Sequence, residues 1–244
     1  PHRCRTSYED QSMIEIKGLK KCFGRLEVLK ELDAQIQESK ITAIVGHNGS
    51  GKTTLIKCLL GLDKYEAGEI TIKDFKLNGD WSYRSQIGYM PQIARFPENL
   101  TATEVITMIS DLRAGSATLA ENLISYFRLS DEMEKPLKTL SGGTRQKVNA
   151  IVALMFNPDI LILDEPTAGL DPISSSLLKD KINAEKDAGK TVIITSHIMS
   201  EIQELADTIL YLLDGKIFFD GPVDELIAQT GEKNLERAIA KMMS

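Results

Sequence analysis

Long apolar runs are missing from this chain. Core-sized stretches such as Ile151-Val152-Ala153-Leu154-Met155-Phe156 fall well short of the roughly 20 residues that span a bilayer, so any membrane role falls to a partner. Cysteine is scarce. Cys4, Cys22 and Cys58 are odd in number and lack metal-ligand spacing, which argues against a disulfide framework or a zinc module and for a reducing compartment. Positive charge is also short, with 29 Lys and Arg against 35 Asp and Glu and a net charge of −6. No sequence-independent grip on nucleic acid is expected from that balance. No signal peptide, internal repeat or low-complexity tract is visible. The 244 residues are 42% hydrophobic and 26% charged, an ordinary globular composition with enough length for a substantial core. The polar segment 1–12 has no apolar period and precedes Met13. It reads as a foreign or disordered leader, with one domain over 13–244.

What is present is sharper. Gly46-His47-Asn48-Gly49-Ser50-Gly51-Lys52-Thr53 matches the phosphate-binding pattern G-x-x-x-x-G-K-[ST]. Glycines let successive backbone N–H groups turn toward one centre and make an anion nest. Lys52 can then reach the outer phosphates, and the Thr53 hydroxyl can sit on Mg²⁺. Ile41-Thr42-Ala43-Ile44-Val45 precedes the loop as a buried strand, and the run from Thr54 to Leu60 follows as a helix. A helix N-terminus there adds positive potential. Binding of a nucleoside triphosphate follows.

The rest of the chain supplies an α/β frame. Ile14-Glu15-Ile16 alternates like an exposed strand, with further strands expected near Glu27-Val28-Leu29 and over Gly68–Ile72, making an antiparallel β-subdomain. Between Pro97 and Pro136 the pattern is helical. Thr101 and Glu104 have capping-box spacing, and Val105, Ile109 and Leu112, then Leu119, Leu123 and Phe127, form an apolar stripe. The helical subdomain is set at about 92–157. Two continuous apolar runs, Ile160–Glu165 and Thr191–Thr195, read as parallel strands covered on both faces. A helix from about Ser174 to Ala188, closed by Gly189, joins them. Asp214-Gly215 marks a hairpin, and helix is expected from about Val223.

Asp164 and Glu165 close a buried strand, where active-site groups of parallel sheets collect. One acid can hold Mg²⁺ and the next can orient water toward the γ-phosphate. An acidic strand end can equally serve as a turn. Leu140-Ser141-Gly142-Gly143 precedes an apolar helical run, so Ser141 can cap that helix and the glycines can expose N–H groups to an anion.

With these elements in order, the chain resembles the ATP-binding subunits of ABC transporters. The resemblance runs from about Met13 to Leu226 and includes Lys21-Cys22-Phe23-Gly24, Tyr89-Met90-Pro91-Gln92, Leu140–Gly143, the acidic strand, Ala168-Gly169-Leu170-Asp171 and Thr195-Ser196-His197. It implies a P-loop NTPase core with a mainly parallel sheet and a Mg²⁺-dependent ATPase. By resemblance Phe23 stacks on adenine, while Gly46 to Thr54 hold the phosphates. Thr53, Gln92 and Asp164 serve Mg²⁺. Glu165 is the catalytic base, Gln92 contacts the attacking water, and His197 bonds the γ-phosphate. Ser141, Gly142, Gly143 and Asp171 serve the ATP of a second copy packed head to tail. The implied partners are a transmembrane permease subunit and a second cassette, with the chain on the cytoplasmic face of the membrane.

One departure stands out. The signature continues with Thr144, giving Ser-Gly-Gly-Thr-Arg-Gln-Lys. Together with Gly-Leu-Asp-Pro at 169–172 this resembles the branch served by separate ABC-2-type membrane subunits. Within it, Lys147-Val148-Asn149 and Leu235-Glu236-Arg237-Ala238-Ile239 resemble the ATPases of nitrous-oxide-reductase maturation, linked to copper or sulfur delivery. The rival is a soluble ABC-type clamp on nucleic acid or ribosomes. Such proteins usually carry two cassettes or a coiled-coil insertion, and this chain shows one cassette, no heptads and an acidic balance.

Overall fold

The computed structural model describes residues 12–73, 75–113 and 119–243. The expected leader lies outside them, apart from Ser12, which opens the first strand. Two sheets organise the chain. The smaller is antiparallel and is built from β1 (Ser12–Phe23), β2 (Leu26–Gln37), β4 (Ala67–Ile72) and β5 (Phe75–Lys76), in the order β2-β1-β4-β5. The second strand runs well beyond the short one expected at Glu27–Leu29, and Ile14 and Ile16 on β1 are buried, not exposed.

The larger sheet holds β3 (Ile41–Val45), β6 (Ile87–Met90), β7 (Ile160–Asp164), β8 (Thr191–Thr195), β9 (Thr208–Leu213) and β10 (Lys216–Pro222). Its order is β10-β9-β3-β8-β7-β6; every pairing is parallel except β9 with β10. All five residues of β3, β7 and β8 are buried, as strands covered on both faces require. Alternate residues face two different cores. Ala43, Leu161, Leu163, Val192 and Ile194 pack in one. Ile44, Ile160, Ile162 and Ile193 pack in the other. The second core also takes Leu55, Ile56 and Leu59 of α1 (Lys52–Leu59) and the inner face of the antiparallel sheet.

The first core is covered by α2 (Ala102–Arg113), α3 (Ala120–Tyr126), α4 (Gly142–Leu154), α5 (Pro172–Asp187), α6 (Met199–Leu205), α7 (Val223–Thr230) and α8 (Leu235–Met243). The capping box at α2 is reciprocal: Thr101 N–H donates to Glu104 Oε2 at 2.8 Å, and Glu104 N–H to Thr101 Oγ1 at 3.1 Å. Leu112 departs from the expected stripe. It is 78% exposed, because α2 turns only Ala102, Val105 and Ile106 fully inward. At the β9–β10 turn both Asp214 (φ 47°) and Gly215 (φ 80°) are left-handed, the signature of a type I′ hairpin. The chain is thus an α/β protein with the P-loop NTPase frame, and the crossovers deliver the ends of β3, β7 and β8 to one edge.

Candidate active site

The phosphate loop leaves β3 and enters α1. Gly51 caps that helix in the left-handed region, at φ 109°, with no side-chain cap and no acid in the first turn. The first N–H groups of α1 are therefore left for an outside acceptor. Gly46 sits so close to the neighbouring hairpin that a Cβ would lie 2.2 Å from the Leu212 carbonyl oxygen. The loop cannot be filled by larger residues there.

A cavity of about 680 Å³ opens above it, within the range of small-molecule sites (about 300–1,000 Å³). The loop contributes Gly46, Asn48, Gly49, Gly51, Lys52, Thr53 and Thr54. Gln92, Asp164, Glu165 and His197 close one side, and Phe23 the other. Leu26 and Val28 of β2 join Phe23; sequence reasoning missed both, since nothing local says that β2 folds over the loop. Lys52 Nζ donates to the Gly46 and His47 carbonyls at 2.7 and 3.0 Å. Burial holds its pKa below the ordinary 10.5, partly opposed by the charges of Glu165 and Asp164.

Two expected loop residues do not line the cavity. His47 turns outward, its Nδ1 donating to Asn48 O at 2.8 Å and its Nε2 lying 3.3 Å from Asp214 Oδ1. Ser50 is buried, and its Oγ has no hydrogen-bond partner.

The acidic end of β7 is fixed by β8. Thr195 Oγ1 donates to Asp164 Oδ1 and accepts from Glu165 N–H at 3.1 Å. Glu165 then takes a left-handed backbone, φ 50°. Such a conformation in a non-glycine residue costs about 1–2 kcal/mol and persists only where the surroundings impose it. His197 Nδ1 lies 2.8 Å from Glu165 Oε2; the imidazole is largely exposed and the carboxylate mostly buried. The arrangement gives a carboxylate oriented by one ring nitrogen, with the other nitrogen free toward solvent.

Ser141, Gly142, Gly143 and Asp171 stand apart from this cavity. Ser141 caps α4 as expected, accepting from Thr144 N–H at 3.1 Å. Asp171 caps α5, accepting from Ile173 and Ser174 N–H at 3.0 Å each. The Gln146 amide reaches back to the Glu165 and Pro166 carbonyls at 3.3 and 3.1 Å. This ties α4 to the acidic end of β7. Gln146 and Thr195 stood in quoted motifs but were given no role from sequence; a polar residue inside an apolar helical run was the available signal for the first. Gln92 borders both the loop cavity and a second one of about 720 Å³ that includes Gly142 and Gly169.

The fit to a triphosphate and a hard cation can be judged from these donors. No cluster of three or more His, Cys, Asp or Glu suited to a metal occurs among the described residues. Mg²⁺ needs none, since it binds through one or two protein oxygens plus phosphate and water. Thr53, Gln92 and Asp164 bring hydroxyl, amide and carboxylate groups to one cavity.

Fold and site define a phosphate-loop NTPase with a carboxylate–histidine pair beside the loop. The ABC transporter family model matches residues 29–168. The lantibiotic transport ATP-binding protein SrtF of Streptococcus pyogenes is 33% identical over 226 residues, covering 92% of this chain and 94% of that protein. A solved ATP-binding subunit of an ABC transporter superposes with a TM-score of 0.88 at 27% identity, covering 96% of this chain and all of the other. The dimeric structure of MJ0796, a bacterial ABC transporter cassette, superposes with a TM-score of 0.79 at 27% identity, over 86% of this chain and 98% of that one. The chain belongs to the ABC transporter family as one of its ATP-binding subunits, an ATPase of the cassette type.

Proposed function

We propose that the chain binds ATP and Mg²⁺ in the phosphate-loop cavity, hydrolyses the ATP, and drives a separate membrane-spanning subunit. The observation that carries this is the meeting, in one cavity, of an uncapped helix N-terminus, Lys52 and the Glu165–His197 pair. Phe23, Leu26 and Val28 form an apolar wall suited to a base, and the loop from Gly46 to Thr54 cradles the phosphates. Thr53, Gln92 and Asp164 hold Mg²⁺, which when bound neutralises phosphate charge. Glu165 accepts the proton of the attacking water. His197 keeps that carboxylate aimed and offers its free nitrogen to the γ-phosphate. Catalysis of this kind is mainly positioning and charge stabilisation.

A second copy completes the site. Ser141, Gly142 and Gly143 lie outside their own chain's cavity and are free to face the ATP of a partner cassette; Asp171 joins them at the seam. The MJ0796 cassette to which the chain is similar is dimeric, which supports the pairing of two copies. ATP contacts made only in the closed dimer favour closure, and hydrolysis releases it. No described helix is long and apolar enough to cross a membrane. In this reading a permease subunit holds the chain peripherally, on the cytoplasmic face. The cargo reading, copper or sulfur delivery for nitrous-oxide reductase, rests on Lys147-Val148-Asn149 and Leu235–Ile239 alone.

Recovery of the chain from solubilised host membranes tests the partner. A co-purifying polytopic protein is the expected result, and copper-enzyme maturation factors beside it support the cargo. A polytopic protein without them removes the cargo reading only. Ribosomes or DNA in its place favour the soluble clamp.

A further inference from the structure

We propose that the Asp214-Gly215 turn sets the spacing between the two walls of the nucleotide cavity, with Gly215 as its positioning residue; this rests on reading that cavity as the ATP site. Gly215 bonds both walls. Its N–H donates to the Ser50 carbonyl on the phosphate loop at 3.2 Å. Its own carbonyl accepts from Lys30 N–H on β2 at 2.8 Å. Asp214 adds a third tie through His47, which in turn holds the Asn48 carbonyl.

β2 is the strand whose Leu26 and Val28 stand beside Phe23 on the base side of the cavity. The turn is therefore backbone that the phosphate floor and the base wall share through hydrogen bonds, beside the direct packing of Gly51 on Val28 and Leu29. Its packing leaves no slack. A Cβ at Gly215 would lie 2.3 Å from the Val28 carbonyl oxygen and 3.0 Å from its carbon, at φ +80°. Any side chain at this point pushes on β2 beside a residue that lines the cavity.

A hairpin turn with no role in the site also requires a left-handed residue here. The two roles differ in what they do to ligands. ATP has to meet both walls at once, whereas a bare polyphosphate needs only the loop. Displacing β2 should weaken ATP and spare the polyphosphate. A general loosening of the fold should weaken both together.

The test is equilibrium binding of ATP and of inorganic tripolyphosphate, each with Mg²⁺, to the full chain and to Gly215→Ala and Gly215→Asn. Asparagine tolerates the left-handed backbone yet carries the same Cβ, so it keeps the push on Val28 and relieves the strain. The expected result is an ATP affinity lower by about ten-fold, the order of one lost base-stacking contact, with tripolyphosphate changed by less than about two-fold. Equal losses for both ligands, or unchanged ATP affinity in the folded variants, overturn the inference. If the unsubstituted chain binds neither ligand, the ATP-site reading itself fails.

Discussion

Thr195→Val removes a single hydroxyl from the floor of the site, and its consequence can be worked from the contacts. That hydroxyl donates to Asp164 Oδ1 and accepts from Glu165 N–H. Thr195 is 1% exposed and Asp164 9%, so the substitution sets a methyl group against Asp164 Oδ1 on the strand side, where little water reaches. The Glu165 N–H is not orphaned, because it also donates to the Thr195 carbonyl at 3.1 Å. The loss is then one hydrogen bond to a charged, buried carboxylate, worth about 1.5–3 kcal/mol. Valine fills the same volume, so no cavity term adds. Taking about 2 kcal/mol, the melting temperature of a chain this size should fall by about 4–8 °C. Thermal melts without nucleotide read it directly. In an Asp164→Asn background the same change should cost about half as much, since the acceptor is no longer charged. A drop of less than about 2 °C, or full additivity of the two substitutions, would refute the reasoning.

Three further outcomes follow from other parts of the structure. Burial lowers the Lys52 pKa, so the unfolded chain holds the extra proton between the two values and the buried charge opposes folding below them. That penalty lifts as pH rises through the window. In the same window ATP affinity should fall, below pH 10.5, and an affinity flat past that point would contradict the assignment. Thr101→Ala breaks a reciprocal capping box, so about 1 kcal/mol and about 2–4 °C should be lost with catalysis unaffected; an unchanged melt would count against it. Cys58 is buried, and burial with the nearby Asp63 charge pushes its thiol up to about 11. A thiol reagent at pH 8 should leave it unmodified in the folded protein while the half-buried Cys22 reacts.

The phosphate loop was legible because its chemistry is contiguous: glycines, Lys52 and Thr53 sit within eight positions. The buried strands were legible because both faces are covered, leaving unbroken apolar runs. β2 was largely hidden. Its alternation is interrupted by shifts in register opposite β1, where Glu31 adopts φ 53°, and a bulge of this kind breaks the period on which a strand is read. β6 and α6 are only four and seven residues long, too short for periodicity to declare them. The stripe on α2 failed at Leu112 because helical spacing gives a face but not how far the core extends along it. In the site, Glu165 and His197 were named through the order of elements. Their contact, and the supports from Thr195 and Gln146, exist only once β7, β8 and α4 are brought together.

The central claim is that Glu165 is the base of the ATPase and that the phosphate loop holds ATP without it. ATP binding and ATP turnover by Glu165→Gln, measured on the same preparation and alongside Lys52→Ala, address it most directly. Glu165→Gln should bind ATP as tightly as the unsubstituted chain, while turnover falls by at least about a hundred-fold, the scale of a lost general base. Lys52→Ala should lose affinity itself. Undiminished hydrolysis by Glu165→Gln would contradict the account.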